Sequence, residues 1–474
     1  MRRATTILRS RIFIAAVIAF AGCLAYFLCN MVNSNLHLNV SADSYIPLTS
    51  RSEEYFLFLF GLALFALLFL RKDGESSELA KNAVFGLLLC FLVLNFGQAV
   101  REVVSNVRNP RQWDFFDFFI TGKIAATGGN IYSPELFQSI PLPVPPREDF
   151  VNEVLKVGSK YPPNTSLFFA LFGFFPFTAS LILFALVQLL FLVLSGFEIK
   201  KLIDGKENGL LIAFVLLFLI AGTMKSIEYL APNFIVLYLV LKSAAAKSGT
   251  LSGFLLGLAI LFRPFFLILF LDFILRKRIK PMIGVAIALA STSALSLVAF
   301  GPSTWINYFL NGPFKHVPVL SVYSNYTFIS LNALLLRTGL MTPIWGSPLF
   351  HPITLVYVGI ILAFIVFVLV KRPLSMMDSL GFLIPWALFL YPESWWSYTV
   401  FLVFPLINLY RERGRLDARY LMAIGIPVFV LLNDFMPIKP ESVVVGLFIF
   451  AAANSLRIVL RRKGSALGGS NAGA

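Results

Sequence analysis

Two aspartates, Asp114 and Asp117, lie three residues apart in the aromatic stretch WDFFDFF and are the strongest candidates for chemistry. A carboxylate held among aromatic side chains can act as a general base that removes a proton from an attacking alcohol. The same spacing has a structural interpretation, because carboxylates in the first turn of a helix stabilise its positive end. The two roles are compatible, since a capping carboxylate is also held in place.

Other catalytic patterns are missing from the sequence. It contains no phosphate-binding glycine loop, no dinucleotide fingerprint and no His/Cys spacing typical of a metal site. The three cysteines, Cys23, Cys29 and Cys90, all fall within apolar stretches, which argues against a disulfide framework. We therefore expect neither a cofactor nor a metal.

The elements that position these residues are membrane helices. The chain is 58% hydrophobic and only 13% charged, with a mean hydropathy of +0.82. Lipid offers the backbone no hydrogen-bonding partner, so each apolar stretch long enough to cross the bilayer must be a helix. The clearest of these stretches are residues 12–32, 54–70, 178–198, 282–300 and 351–370.

The net charge of +15 arises mainly from short basic connections such as Lys200–Lys201 and 276–280. The positive-inside rule explains this distribution without a nucleic-acid partner. It predicts a cytoplasmic N-terminus, two extracytoplasmic loops at 101–163 and 301–350, and a disordered cytoplasmic tail at 464–474. The opening apolar stretch is interpreted as an uncleaved first helix.

Two segments do not fit simple spans. Residues 165–176 are apolar but too short to cross, so we expect a re-entrant or interfacial helix there. Residues 251–275 are interrupted at Arg263-Pro264, and two short helices in a hairpin with both ends cytoplasmic satisfy the charge rule best.

The whole chain, 1–474, is predicted to form one all-α polytopic membrane domain. It would contain about 13–14 transmembrane or re-entrant helices together with extracytoplasmic loop helices. Further spans are expected near 83–100, 209–224, 232–246, 379–391, 398–410, 420–435 and 443–458.

The stretch WDFFDFFITGKIAATGGNIY resembles the first outside loop of glycosyltransferase family 87, the polyprenyl-phosphate-mannose-dependent mannosyltransferases of the C-superfamily. That loop carries an Asp, aromatic residues, a Gly and then G-x-x-Y. The matching positions are Asp114, Phe118, Phe119, Gly122, Gly129 and Tyr132.

Further marks of the family follow in the same order, so that the resemblance covers residues 110–410. They are Tyr161-Pro162-Pro163, Gly257-Leu258-Ala259 with Arg263-Pro264, a helix from Asn325 to Arg337, and a turn from Tyr391 to Tyr398. Ser397 stands where that turn often has His, which puts a His-assisted step in doubt. Arg263 stands where Lys is common and preserves the charge.

The resemblance implies an inverting hexose transfer, most simply of mannose, from a polyprenyl-phosphate sugar to a lipid or glycan acceptor. Asp114 would be the base, with Asp117 as a second candidate. The enzyme would be a multi-pass cell-membrane protein surrounded by membrane lipids, monomeric, and active on the extracytoplasmic side in building a cell-envelope glycan.

A phosphate leaving group requires cations within reach, and an ionised residue at membrane depth indicates a functional site. Arg263, Lys225 and Arg337 are the candidates for binding the donor phosphate. Arg263 could instead hold a carbonyl or Glu228, and the other two could simply extend to the membrane surface from helix ends.

Acceptor or sugar binding is assigned to a group of aromatic and polar residues in the two predicted outside regions. These are Tyr132, Tyr161, Glu393, Trp395, Ser397 and Tyr398. The aromatic residues of the 392–398 turn, Trp396 included, could equally form an interfacial belt, and Glu393 could be a solvated turn residue.

Two other functions remain open at the level of sequence. The interrupted helix at Arg263-Pro264 also suits a transporter or flippase of a polyprenyl-linked glycan. A glycan polymerase or ligase that uses a lipid diphosphate donor is the other alternative.

Overall fold

The computed structural model describes residues 78–108, 113–143, 155, 158–159, 161–203, 208–311, 329–337, 352–391, 394–412 and 440–460. Three predicted spans, 12–32, 54–70 and 420–435, lie outside the described residues, as does the tail at 464–474. Every described element is a helix, which confirms the predicted all-α polytopic fold.

The first half of the described chain forms nine α-helices. They are α1 (Glu78–Arg108), α2 (Trp113–Ala126), α3 (Pro134–Ser139), α4 (Pro163–Gly173), α5 (Phe177–Leu202), α6 (Gly209–Phe218), α7 (Ala221–Glu228), α8 (Asn233–Ala245) and α9 (Gly249–Phe262).

The second half alternates long helices with short ones. After the first 3-10 segment (Pro264–Ile268) come α10 (Leu269–Leu275), α11 (Ile279–Asn311), α12 (Leu331–Arg337), α13 (Pro352–Lys371) and α14 (Met376–Leu390). The second 3-10 segment (Trp396–Leu402), α15 (Val403–Glu412) and α16 (Pro440–Leu460) complete it.

Four described helices, α1, α5, α11 and α13, are long and apolar enough to cross a membrane by length and composition. The pair α6 and α7 makes a fifth if it is counted as one span. Shorter apolar helices stand where spans were expected at 232–246 and 379–391. The outer faces of the long helices expose large apolar side chains, as lipid-facing surfaces do.

The predicted span at 209–224 is not straight, because α6 and α7 meet at an angle of 73°. The Thr223 hydroxyl donates to the Leu217 carbonyl at 2.5 Å, which satisfies a backbone group freed by the bend. Gly222 then lies directly against the backbone of Val400, and a side chain at this glycine would clash. The bend therefore places α7 beside the second 3-10 segment.

The predicted boundaries of the two loops also change. Helix α1 continues through Arg108, eight residues into the segment predicted as the first outside loop. Helix α11 continues past the predicted end of its span to Asn311, with a kink at Gly301, whose φ of 75° suits glycine. A short helix was expected at 165–176, and α4 (Pro163–Gly173) occupies most of that segment and packs along α2.

The chain reverses direction within 251–275 as predicted, through a helix, a 3-10 segment and a second short helix. The chain breaks at Arg263 and returns, so that Gly249 at the start of α9 lies beside Lys280 at the start of α11. Helices α9 and α11 run side by side in the same direction, with Gly253 pressed against the Pro281 carbonyl. Arg263 consequently lies at the far end of the hairpin from its two termini.

The bundle has two chemically different ends. Asn233 begins α8 at the end that holds Arg263, whereas Lys242 lies near the opposite end of the same helix, 3.0 Å from Glu198. Asp272, completely buried on the returning limb, pairs there with the basic connection at 276–280. Lys242, Arg276 and Arg278 thus lie at the end away from Arg263.

Candidate functional site

The two aspartates share one face of α2 but differ in exposure. Asp114 is the second residue of the helix and is half-buried, whereas Asp117, almost one turn later, is buried. Residues three apart on a helix project to the same side. The Thr121 hydroxyl donates to Asp117 Oδ1 at 3.4 Å. Asp114 therefore lies nearer the surface, and the Asp117 carboxylate is held by Thr121 from the next turn of the helix.

Aromatic stacking ties α2 to α4 beside the carboxylates. The rings of Phe118 and Phe169 stack with centroids 4.3 Å apart, and Phe118 also contacts the Tyr161 ring at 5.2 Å. Gly122 lies against the Phe169 carbonyl, so closely that a Cβ there would overlap the oxygen. The aromatic residues of the WDFFDFF stretch thus bring Tyr161 next to the aspartates.

The segment before α4 is held by three hydrogen bonds. The Tyr132 hydroxyl donates to the Tyr161 carbonyl at 2.7 Å, and the Tyr161 amide donates to Ser159 Oγ at 3.2 Å. The Ser159 amide in turn donates to the Ile131 carbonyl at 2.9 Å. Tyr132 is buried and its hydroxyl is engaged, so it holds the Tyr161 backbone rather than presenting its own hydroxyl outward.

Arg263 is the charged group at the break between α9 and the first 3-10 segment, and only 4% of it is exposed. Its Nε donates to Asn233 Oδ1 at 2.9 Å and its Nη1 to the Phe262 carbonyl at 3.2 Å. The guanidinium carbon lies 4.4 Å from the centre of the Tyr398 ring. These contacts desolvate the cation and fix its direction, with a carbonyl partner but not the expected alternative Glu228.

The second 3-10 segment contributes two of the predicted residues. Tyr398 supplies the ring under Arg263, and the Ser397 carbonyl accepts hydrogen bonds from Asn233 Nδ2 at 3.2 Å and from the Ser226 hydroxyl at 3.1 Å. Trp395 is half-buried and packs against Ala333. This turn is therefore built into the protein interior beside Arg263.

The charges of the site converge on the Tyr161 phenol. Its pKa is raised well above the ordinary value by burial and by the neighbouring carboxylates of Asp117 and Asp114, while the Arg263 guanidinium acts in the opposite direction. The Tyr398 hydroxyl also raises this pKa. One phenol thus feels both predicted aspartates and the predicted phosphate-binding arginine, which the sequence separates by almost 150 positions.

Lys225 lies in a different environment. Its ammonium pairs with Glu228 Oε2 at 2.7 Å and lies 5.8 Å from the Tyr229 ring centre. Asn106 of α1 donates to the Glu228 carbonyl at 3.1 Å, so Lys225 faces the α1–α7 contact. Its assignment to the donor phosphate stays a prediction.

Two further predicted residues cannot be placed in the site. Glu393 lies outside the described residues. Arg337 ends α12, but its side chain lies beyond the described part. Within the described residues, no group of three or more His, Cys, Asp or Glu side chains is arranged to hold a metal ion.

Asn233 and Ser226 are site residues that the sequence interpretation missed. Asn233 is completely buried at the start of α8 and donates through Nδ2 to Ser226 Oγ at 3.0 Å. A signal was present, because Asn233 follows Pro232 at the start of an otherwise apolar helix, where a buried amide needs partners. Spacing alone does not say which partners those are.

The chain matches the model of glycosyltransferase family 87 over residues 160–392. No curated protein and no solved structure matches it. The matched region contains Tyr161 and Arg263 and begins after the aspartates of α2. This match, on a polytopic helical fold, identifies the chain as a member of glycosyltransferase family 87, a membrane glycosyltransferase.

Proposed function

We propose that this glycosyltransferase transfers a hexose, with mannose the sugar favoured by the family resemblance, from a polyprenyl phosphate to a lipid or glycan acceptor. The observation that carries the proposal is that the charges of Asp114, Asp117 and Arg263 all act on one phenol, that of Tyr161, which contacts Phe118 between the two aspartates and Thr121 on α2. An enzyme that displaces a phosphate with an alcohol needs a base and a cation that act on one substrate, and Asp114 with Arg263 would supply these two groups.

Asp114 is the proposed base because it is the less buried of the two aspartates and can meet an entering acceptor. Its carboxylate takes the proton from the acceptor hydroxyl as the oxygen attacks the anomeric carbon. Asp117, which is buried, adds to the negative potential near Asp114 and remains the second candidate for the base. Tyr161 would contact the sugar or acceptor between the carboxylates and the arginine.

The leaving group departs on the opposite side. As the acceptor oxygen bonds to the anomeric carbon, the bond from that carbon to the phosphate oxygen breaks, and the electron pair stays on the phosphate. Attack and departure on opposite faces invert the anomeric configuration. The Arg263 guanidinium, desolvated by its surroundings, would stabilise the charge of the departing phosphate.

We place the reaction on the extracytoplasmic side of the cell membrane. Basic connections favour the cytoplasmic side, and Glu198, Lys242 and the 276–280 connection lie at the end of the bundle away from Arg263. The site would then face outward, where polyprenyl-phosphate sugars serve as donors without nucleotides.

Donor profiling of the purified protein tests the proposal. The protein is given mannose, glucose, galactose and arabinose polyprenyl phosphates with a membrane lipid and glycan extract as acceptor. We expect sugar transfer and stoichiometric release of polyprenyl phosphate, fastest with mannose. A requirement for diphosphate-linked donors would instead support the polymerase or ligase alternative. Movement of the donor across liposomes without its consumption would support the transporter alternative.

A further inference from the structure

Asn233 uses both ends of its amide inside the site. Its Oδ1 accepts from Arg263 Nε at 2.9 Å, and its Nδ2 donates to Ser226 Oγ at 3.0 Å and to the Ser397 carbonyl at 3.2 Å. The side chain has no exposed surface. A buried amide bonded at both ends has a single orientation, and so has the Arg263 edge that bonds to it.

The rest of the guanidinium is left available. Of the five N–H groups of an arginine, one is used by Asn233 and one by the Phe262 carbonyl, which leaves three. Among the described residues, Arg263 forms no other hydrogen bond. Nη2 has no partner among the described residues but is not fully enclosed, so this nitrogen retains some accessible surface. The remaining N–H groups belong to Nη1 and Nη2, and we call the edge that carries these two nitrogens the free edge.

We propose that Asn233 is the positioning residue that aims the free edge of Arg263 at the donor phosphate. The inference rests on the proposed function, in which Arg263 binds that phosphate. A planar guanidinium binds a phosphate through two parallel N–H bonds only if its plane is correctly oriented. Asn233 holds Nε and the Tyr398 ring supports the face, so the free edge would be left for the phosphate.

The start of α8 has support that is independent of Arg263. The Phe234 amide donates to the buried Gln188 side-chain oxygen at 3.3 Å, and the Ser226 hydroxyl also donates to the Gly222 carbonyl at 2.6 Å. Loss of the Asn233 amide therefore leaves the helix start anchored to α5. The effect should fall on the orientation of Arg263 rather than on the fold.

A double-mutant cycle tests the proposal, with binding of polyprenyl phosphate alone as the readout. The variants are Asn233→Leu, Arg263→Gln and the two combined. We expect Asn233→Leu to weaken binding by about tenfold, as the loss of a hydrogen bond to a charged group does, and Arg263→Gln to weaken it more. The double variant should bind no more weakly than Arg263→Gln, because Asn233 acts through Arg263. Additive losses would overturn the proposal.

A variant that adds a negative charge at position 233 provides a second test. Asn233→Asp keeps an oxygen that can accept from Arg263 Nε but adds a negative charge beside the guanidinium and removes the donor to Ser226. We expect polyprenyl phosphate affinity to fall at least as far as in Asn233→Leu. An affinity equal to that of the wild type would show that the orientation and charge of Arg263 do not matter.

Asn408→Leu is the matched control for loss of a buried amide. Asn408 is buried in α15, where its Nδ2 donates to the Met377 carbonyl at 2.8 Å. This variant should lose thermal stability but keep its affinity for polyprenyl phosphate. A similar loss of affinity in Asn408→Leu would mean that the Asn233 effect is general destabilisation, and the proposal would fail.

The two proposals fail in different ways. If the cycle is non-additive but no sugar is transferred, the proposed reaction is wrong and the proposed role of Asn233 in orienting Arg263 is supported. If sugar is transferred and the cycle is additive, only the role of Asn233 is wrong. If the wild-type protein does not bind polyprenyl phosphate, both are wrong.

Discussion

At the scale of single residues, Asp114 and Asp117 are chemically alike and differ in what surrounds them. Asp117 is buried and accepts a hydrogen bond from Thr121, while Asp114 occupies the first turn of α2 and is half-buried. The structural interpretation of Asp114 as a helix-start carboxylate is compatible with its proposed use as a base. A base must reach the acceptor, and exposure therefore favours Asp114.

The two aspartates should respond differently to loss of charge. Asp114→Asn should lower sugar transfer by roughly 100- to 10,000-fold, the range for removal of a general base, while polyprenyl phosphate still binds. Asp117→Asn keeps an oxygen that can accept from Thr121 and should lose less activity. Initial rates and thermal unfolding of both variants check this. Near wild-type transfer by Asp114→Asn would remove it as the base.

Tyr132 should act through its hydroxyl on the Tyr161 backbone. Tyr132→Phe removes the 2.7 Å bond and leaves the Tyr161 carbonyl without that donor, at a cost of about 1–3 kcal/mol in the free energy of unfolding. We expect a lower unfolding temperature together with reduced transfer. Tyr238→Phe, in the middle of α8 beside Lys242, is the control and should keep its activity. Full activity in Tyr132→Phe would mean that this bond does not position Tyr161.

At the scale of elements, close helix contacts bring the site residues together. Helices α2 and α4 approach so closely at Gly122 and Gly173 that each glycine lies against the backbone of the other helix. The second 3-10 segment makes a similar approach to Gly222 in α7. These contacts set the distances among α2, Tyr161 and Tyr398, and none of the glycines themselves does chemistry.

The α2–α4 contact should be intolerant of even one methyl group. In Gly122→Ala, the added Cβ would overlap the Phe169 carbonyl oxygen, and we expect destabilisation of about 1–3 kcal/mol, the typical effect of overpacking. Gly97→Ala in α1 is the matched control, because nothing lies within 4 Å of a Cβ there. Thermal unfolding in detergent compares the two. Equal stability of both variants would contradict the close contact.

At the scale of the whole molecule, the two ends of the bundle carry different charge. Asn233 and Arg263 lie at one end, while Lys242 and the 276–280 connection lie at the other with their acidic partners. Under the positive-inside rule, this distribution supports the proposed outward orientation of the site.

This orientation is open to a labelling measurement. In a background with Cys23, Cys29 and Cys90 replaced by Ala, an impermeant maleimide should label Ser139→Cys in intact spheroplasts. It should label Lys247→Cys only after the membrane is permeabilised. Both positions are exposed in the structure. The reverse pattern would place the site on the cytoplasmic side.

The sequence alone determined the class of this protein and most of its helical elements, and it named several residues of the candidate site. Hydropathy, basic connections and an interrupted helix are local properties, so they predicted the membrane fold and the break at Arg263 without knowledge of packing. They missed the 73° bend after α6 and the extensions of α1 and α11. The bend depends in part on a distant segment, because Gly222 in α7 lies against the backbone of Val400.

Only the tertiary structure decided which candidates meet. It brings Asp114, Asp117, Tyr161 and Arg263 into one electrostatic environment, assigns Tyr132 to support, and pairs Lys225 with Glu228. It also reveals Asn233 as the partner of Arg263. The physical reason is that charge interaction and hydrogen bonding act over distances of a few ångströms, and in this chain those distances are set by helix packing between segments far apart in sequence.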